Sequence, residues 1–114
     1  MSLFNLDGKH FSPTQNSNGG RVQSDTVFIF KQSGKDFTAL YSGPNVSDGH
    51  IVGQMTAHDK ADLIYHARAS DGALEAGQAT AQFEINEAGK ITIAMNWQWL
   101  NGSQETGQSF YEEL

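Results

Sequence analysis

Near its C-terminus the chain alternates with a two-residue period. Ile91, Ile93, Met95, Trp97 and Trp99 fall on one side of the alternation, with Thr92, Ala94, Asn96 and Gln98 on the other. A helix would spread these apolar residues around its circumference, whereas an extended chain puts them on one face, so residues 90–100 are predicted to be a strand. Further stretches with the same character are predicted as strands at residues 9–15, 22–32, 37–42, 50–58, 62–69, 77–85 and 107–113. Aromatic and β-branched residues concentrate in these runs, and Gly, Asn, Asp and Ser pairs fall between them. Pro13 lacks a backbone N–H, which places it at an edge or a bulge of the first strand. The one stretch open to a second interpretation follows Asp59, which could cap a helix through Ala61, Asp62, Ile64, Tyr65 and Arg68. Strand is favoured there because Leu63, Tyr65 and Ala67 alternate with Asp62, His66 and Arg68.

Strands joined by short links are neighbours in space, so each connection is a hairpin. An open eight-stranded meander of this size would leave two unpaired edges, and closing it pairs them around a core. The expected fold is therefore all-β: a single domain over residues 1–114, an eight-stranded antiparallel up-and-down meander closed into a barrel of the lipocalin or streptavidin kind. The modest hydrophobic fraction of 38% agrees with a sheet that has one wet face.

Charge narrows the set of partners. The net charge is −6, and the seven Lys and Arg residues are scattered with no basic stripe. Neither nucleic acid nor an anionic membrane surface is an expected partner. Cysteine is absent, which removes disulfides, thiolate metal sites and Cys nucleophiles. The first residues, Met1-Ser2-Leu3-Phe4-Asn5-Leu6-Asp7-Gly8, form no basic and apolar leader, so a cytoplasmic location is the expectation.

In a meander the loops after the first, third, fifth and seventh strands share one end. These are residues 16–20, 43–49, 70–74 and 101–105, and they are the long ones, whereas residues 33–35, 59–60 and 87–89 make tight links at the other end. Barrel mouths and long loops on rigid scaffolds favour small-molecule sites. The residues expected near this open rim are Tyr41, His50, His66, Arg68, Gln78, Trp97, Trp99, Gln108 and Ser109. Of these, Tyr41, His66, Arg68, Gln78, Trp97, Trp99 and Gln108 form the candidate ligand-binding set. Indole and phenol rings supply apolar area with a polar tip, and Gln and Ser can fix a ligand's orientation. The same aromatic residues also serve as core plugs in a small barrel, which its own side chains can fill. Phe28 and Phe30 share one face of the second strand while Val27 and Ile29 occupy the other. Apolar residues on both faces point to a covered outer wall, so a homodimer acting as an interaction module is the alternative to a ligand-binding cup.

No catalytic residue, metal site or cofactor is assigned from local motifs. His50, His58 and His66 recur at equal intervals too wide for a local chelate, so a metal site would need the fold to gather them. No serine lies in a Gly-x-Ser-x-Gly elbow. Glu112 and Glu113 are neighbours whose side chains leave a strand on opposite faces. An enzyme would have to use His66 as a base with Tyr65 or Glu112 beside it.

The segments Phe37-Thr38-Ala39-Leu40-Tyr41-Ser42-Gly43, Tyr65-His66, Trp97-Gln98-Trp99 and Ser109-Phe110-Tyr111-Glu112-Glu113, with Gly53, Gly102 and Gly107, carry a resemblance over nearly the whole chain. It resembles a family of short bacterial proteins often labelled N-acetylglutamate synthase. That label implies an acetyltransferase that holds acetyl-coenzyme A on a glycine-containing loop at a helix N-terminus. The chain has neither that loop nor the helices, so the resemblance transfers no catalytic residue.

Overall fold

A computed structural model describes residues 4–16, 26–100 and 106–114. Eight strands follow one another: β1 (His10–Asn16), β2 (Val27–Ser33), β3 (Asp36–Gly43), β4 (Val46–Ala57), β5 (Lys60–Ala69), β6 (Leu74–Ile85), β7 (Ile91–Trp99) and β8 (Thr106–Glu113). Each pairs antiparallel with the next, and β8 returns to β1, so the sheet is a closed barrel in simple meander order. The stretch after Asp59 is strand, paired on both sides from Lys60↔Gln82 and Ala57↔Lys60 onward. Pro13 sits at a register shift in the β1–β8 seam, where its missing N–H is tolerated.

The two-residue period sorts the side chains. Along β7, Ile91, Ile93, Met95, Trp97 and Trp99 are buried, and the intervening residues are partly or fully exposed. The same sorting sends Phe28 and Phe30, then Phe37, Ala39 and Tyr41, then Leu63 and Tyr65 inward. Glycine makes room for the bulkiest of these. In register, Phe37 faces Gly53, Tyr41 faces Gly49 and Tyr65 faces Gly77. Each ring lies so close over its glycine that an added Cβ would overlap it. Rings that fold flat onto a neighbouring strand shield that strand's backbone and let a narrow barrel hold many aromatics.

The end of the barrel that carries the tight links is plugged by the segment before β1. The Phe4 N–H donates to the His58 carbonyl at 2.9 Å, and the Phe4 ring stacks on Phe83 at 6.0 Å. Leu6 is fully buried. Its N–H donates to Gln32 Oε1 at 2.8 Å, while Gln32 Nε2 donates back to the Phe4 carbonyl at 3.0 Å. The final turn of the seam is fastened by Glu113, which accepts from Lys9 Nζ at 3.0 Å and from the Ile91 N–H at 3.0 Å. These bonds hold the Glu113 carboxyl below its usual pKa, the Ile91 N–H first and Lys9 after it.

The rim differs from expectation in one place. The β3–β4 connection is not a long loop over residues 43–49. Only Pro44 and Asn45 separate the strands, because pairing continues past register shifts at Tyr41/Gly43 and Val46/Asp48. Bulges absorb the extra residues that the sequence offers as a loop. The β5–β6 link at residues 70–73 is a turn, with Asp71 Oδ1 accepting from the Ala73 N–H at 3.0 Å. The expected loops at residues 17–20 and 101–105, and the expected start of the second strand at residue 22, lie outside the described residues.

Candidate functional site

At the end of the barrel that holds the β5–β6 turn, the inner wall carries two groups of rings. Phe28 stacks on Tyr41 with centroids 4.5 Å apart and meets Tyr111 edge-on at 5.0 Å. Tyr65 meets Trp99 edge-on at 5.3 Å, and Trp97 lies 5.9 Å from Trp99. The parity of each strand explains the convergence. Tyr41 comes from the end of β3, Tyr65 from the far half of β5, both indoles from the end of β7 and Tyr111 from β8.

Hydroxyls gather among these rings. Ser109 and Tyr111 are both buried and share a hydrogen bond, Oγ to OH, at 2.7 Å. The Tyr65 hydroxyl is buried with no hydrogen-bond partner among the described residues. Glu75 falls on the inner face of β6 by alternation with Gly77 and Ala79 and is half-buried. Burial is the main reason why all three tyrosines hold their protons above the ordinary phenol value, with Tyr111 pushed up to about 12. The negative charge of Glu75 adds to this at Tyr41 and Tyr65, while the Ser109 bond works the other way at Tyr111. All three phenols are therefore neutral donors at physiological pH.

Of the seven residues expected to bind ligand, Tyr41, Trp97 and Trp99 belong to these inward rings. His66, Arg68, Gln78 and Gln108 do not; they lie exposed on the outer wall. Their inward neighbours are Tyr65, Ala67, Ala79 and Ser109, and adjacent strand residues leave on opposite faces. Proximity to the rim selected them, while strand parity sends them out. On the outer wall they have other partners. His66 Nε2 lies 3.2 Å from His50 Nδ1, and Arg68 lies 3.8 Å from Asp48. Gln78 reaches Gln98, and Gln108 Nε2 donates to Asn96 Oδ1 at 2.8 Å. Two outer-wall grooves run over these residues. One of ≈ 1270 Å³ is lined by Gln78 and Gln108, and the other of ≈ 680 Å³ by His50, His66 and Arg68.

The arrangement needed for a His66 base is not formed. Tyr65 points inward, and Glu112 accepts from Asn86 Nδ2 at 2.9 Å at the plugged end. No cluster of three or more metal-ligating side chains occurs among the described residues. The inward residues beside these rings that were not among the seven are Tyr65, Tyr111 and Glu75, together with Ser109, which the sequence placed only near the rim. The signal for them was available in the alternation of Ser109 with Tyr111, of Tyr65 with Ala67 and of Glu75 with Gly77.

A closed antiparallel barrel with one plugged end and an aromatic, hydroxyl-bearing interior toward the other belongs with the small β-barrel proteins. More particularly, a family model described as avidin-like protein matches residues 4–114, and the chain belongs to that family. No curated protein and no solved structure matches it.

Proposed function

We propose that the rings of Tyr41, Tyr65, Trp97, Trp99 and Tyr111 form a cup that binds a small, uncharged, partly apolar molecule. The observation that carries this reading is the Tyr65 hydroxyl. A buried hydroxyl without a partner costs about 1–3 kcal/mol, and native interiors seldom leave one so. In this cup it is a donor awaiting an acceptor, beside indoles that offer a flat apolar wall. A carbonyl-type group against Tyr65, with an apolar body against Trp97 and Trp99, fits that chemistry. The carboxylate of Glu75 and the net charge of −6 disfavour an anionic head group.

Intrinsic fluorescence tests this directly, since both tryptophans of the chain lie in the cup. Titration with neutral amides, amphiphiles, aromatic acids and acyl-amino acids should reveal saturable change for neutral members. Tyr65→Phe should then weaken binding by about tenfold, the loss of one hydrogen bond. Absence of any response, or unchanged affinity in Tyr65→Phe, would overturn the proposal.

A second reading, self-association through the outer wall, is favoured by a separate observation. Ile29 (44%), Leu40 (61%), Val52 (51%) and Ile64 (59%) are exposed and adjoin one another, with Ile29 facing Leu40 and Val52 facing Ile64 in register. Such a patch suits a symmetric contact between copies. Light scattering should show an oligomer that Leu40→Glu with Ile64→Glu converts to monomer. A wild-type chain that is monomeric at micromolar concentration ends this reading.

A further inference from the structure

We propose that His50 and His66 form a two-histidine site for a divalent transition-metal ion on the outer wall, apart from the cup. The two residues are far apart in the chain, and the antiparallel register of β4 and β5 sets them directly opposite each other. Their side chains leave the same face of the sheet, and the rings meet at an interplanar angle of 70° with centroids 5.1 Å apart. The critical distance is between nitrogens: His50 Nδ1 lies 3.2 Å from His66 Nε2. Two imidazole nitrogens bound to one ion at about 2.0–2.1 Å are about 3.3–3.4 Å apart in a tetrahedral site and about 2.9 Å apart at a right angle. The observed separation falls between these values, so no backbone movement is needed to bring both nitrogens onto one ion. The contact is a hydrogen bond in which one of the two nitrogens carries the proton; moving the ring protons to His50 Nε2 and His66 Nδ1 leaves a lone pair on each facing nitrogen, and small χ2 adjustments aim both at a shared point in solvent.

The surroundings support occupancy by a cation. Leu40 faces His50 in register, and Val52 and Ile64 follow one outward position along the strands. Asp48, the next outward residue on β4, lies 3.8 Å from Arg68 and offsets the one cation flanking the pair on β5. Water would complete the coordination sphere. Zn²⁺ and Cu²⁺ are the suited ions, since imidazole is a favoured ligand of both.

The test uses the untagged full chain in a non-chelating buffer, titrated with zinc chloride or copper sulfate alone. The imidazole nitrogen resonances are followed for Zn²⁺, and affinity is measured by calorimetry for both ions. His50 and His66 should shift together and saturate at one equivalent of Zn²⁺, while His10 and His58 remain in place. Converting the chelate to a single ligand should weaken binding by about a hundredfold in His50→Gln and in His66→Gln. His58→Gln should bind as the wild type does. Equal loss in all three variants, or no loss in the first two, would overturn the site. All three histidines carry outer-surface exposure, and a thermal melt of each variant confirms that folding is intact. Because the pair lies outside the cup, ligand binding there can fail or succeed without altering this result.

Discussion

Deleting the same atom from two tyrosines of the cup should change stability in opposite directions. Tyr65→Phe removes a buried hydroxyl that has no partner among the described residues and leaves its ring over Gly77. The free energy of keeping that oxygen dry, about 1–2 kcal/mol at the cautious end of the usual range, is recovered. A chain of this length shifts its Tm by about 4 °C per kcal/mol, so the variant should melt about 4–8 °C higher. Tyr111→Phe removes a hydroxyl bonded to Ser109 Oγ at 2.7 Å and strands a serine that is fully buried. That should lower stability by about 1–2 kcal/mol and the Tm by a similar interval. Urea unfolding of the unliganded protein, followed by circular dichroism, measures both against wild type. If Tyr65→Phe is destabilised as much as Tyr111→Phe, the Tyr65 hydroxyl is satisfied in solution and the reasoning behind the cup fails. If the prediction holds, Tyr65→Phe gains stability while losing ligand affinity, the trade expected of a residue kept for binding.

Three further outcomes follow from the same packing. Alkaline pH should unfold the protein: Tyr111 titrates near 10.0 unfolded but at about 12 folded, so its contribution is complete below pH 10 and is lost as pH rises toward 12. That loss approaches about 3 kcal/mol, and absorbance of tyrosinate near pH 10 ahead of any change in circular dichroism would contradict it. Gly53→Ala drives a methyl into the Phe37 ring and should cost about 1–3 kcal/mol in urea unfolding, a result refuted by wild-type stability. Glu113→Gln should loosen the seam of β1, β7 and β8 by about 1–2 kcal/mol at neutral pH. Because the folded carboxyl titrates below its usual value, that difference is present above the unfolded pKa and disappears as pH falls through the folded one; a gap that persists at the acid end would point to packing instead.

The architecture was legible in the sequence because a strand records its faces locally. Ile91 through Trp99 display their two-residue period without reference to anything else in the chain, and short turn-rich links leave hairpins as the simplest connection. Closure followed from the need to pair two edges, and the bulge at Pro13 from a missing N–H. The candidate site was legible only in part, and the reason is parity. Tyr41, Trp97 and Trp99 were chosen by nearness to the rim and belong to bulky alternating sets that the barrel turns inward. His66, Arg68, Gln78 and Gln108 were chosen by nearness to a rim, and a shift of one residue along a strand is a change of face. The β3–β4 loop was overestimated because a bulge and a loop use the same Gly, Asn and Asp residues. What no local pattern contains is register across strands. The meeting of His50 with His66, the seating of Tyr41, Phe37 and Tyr65 on glycines, and the stranding of one hydroxyl beside a satisfied pair depend on how far neighbouring strands slide before they lock. That offset is decided by the packing of the whole closed barrel, since every ring must find room at once.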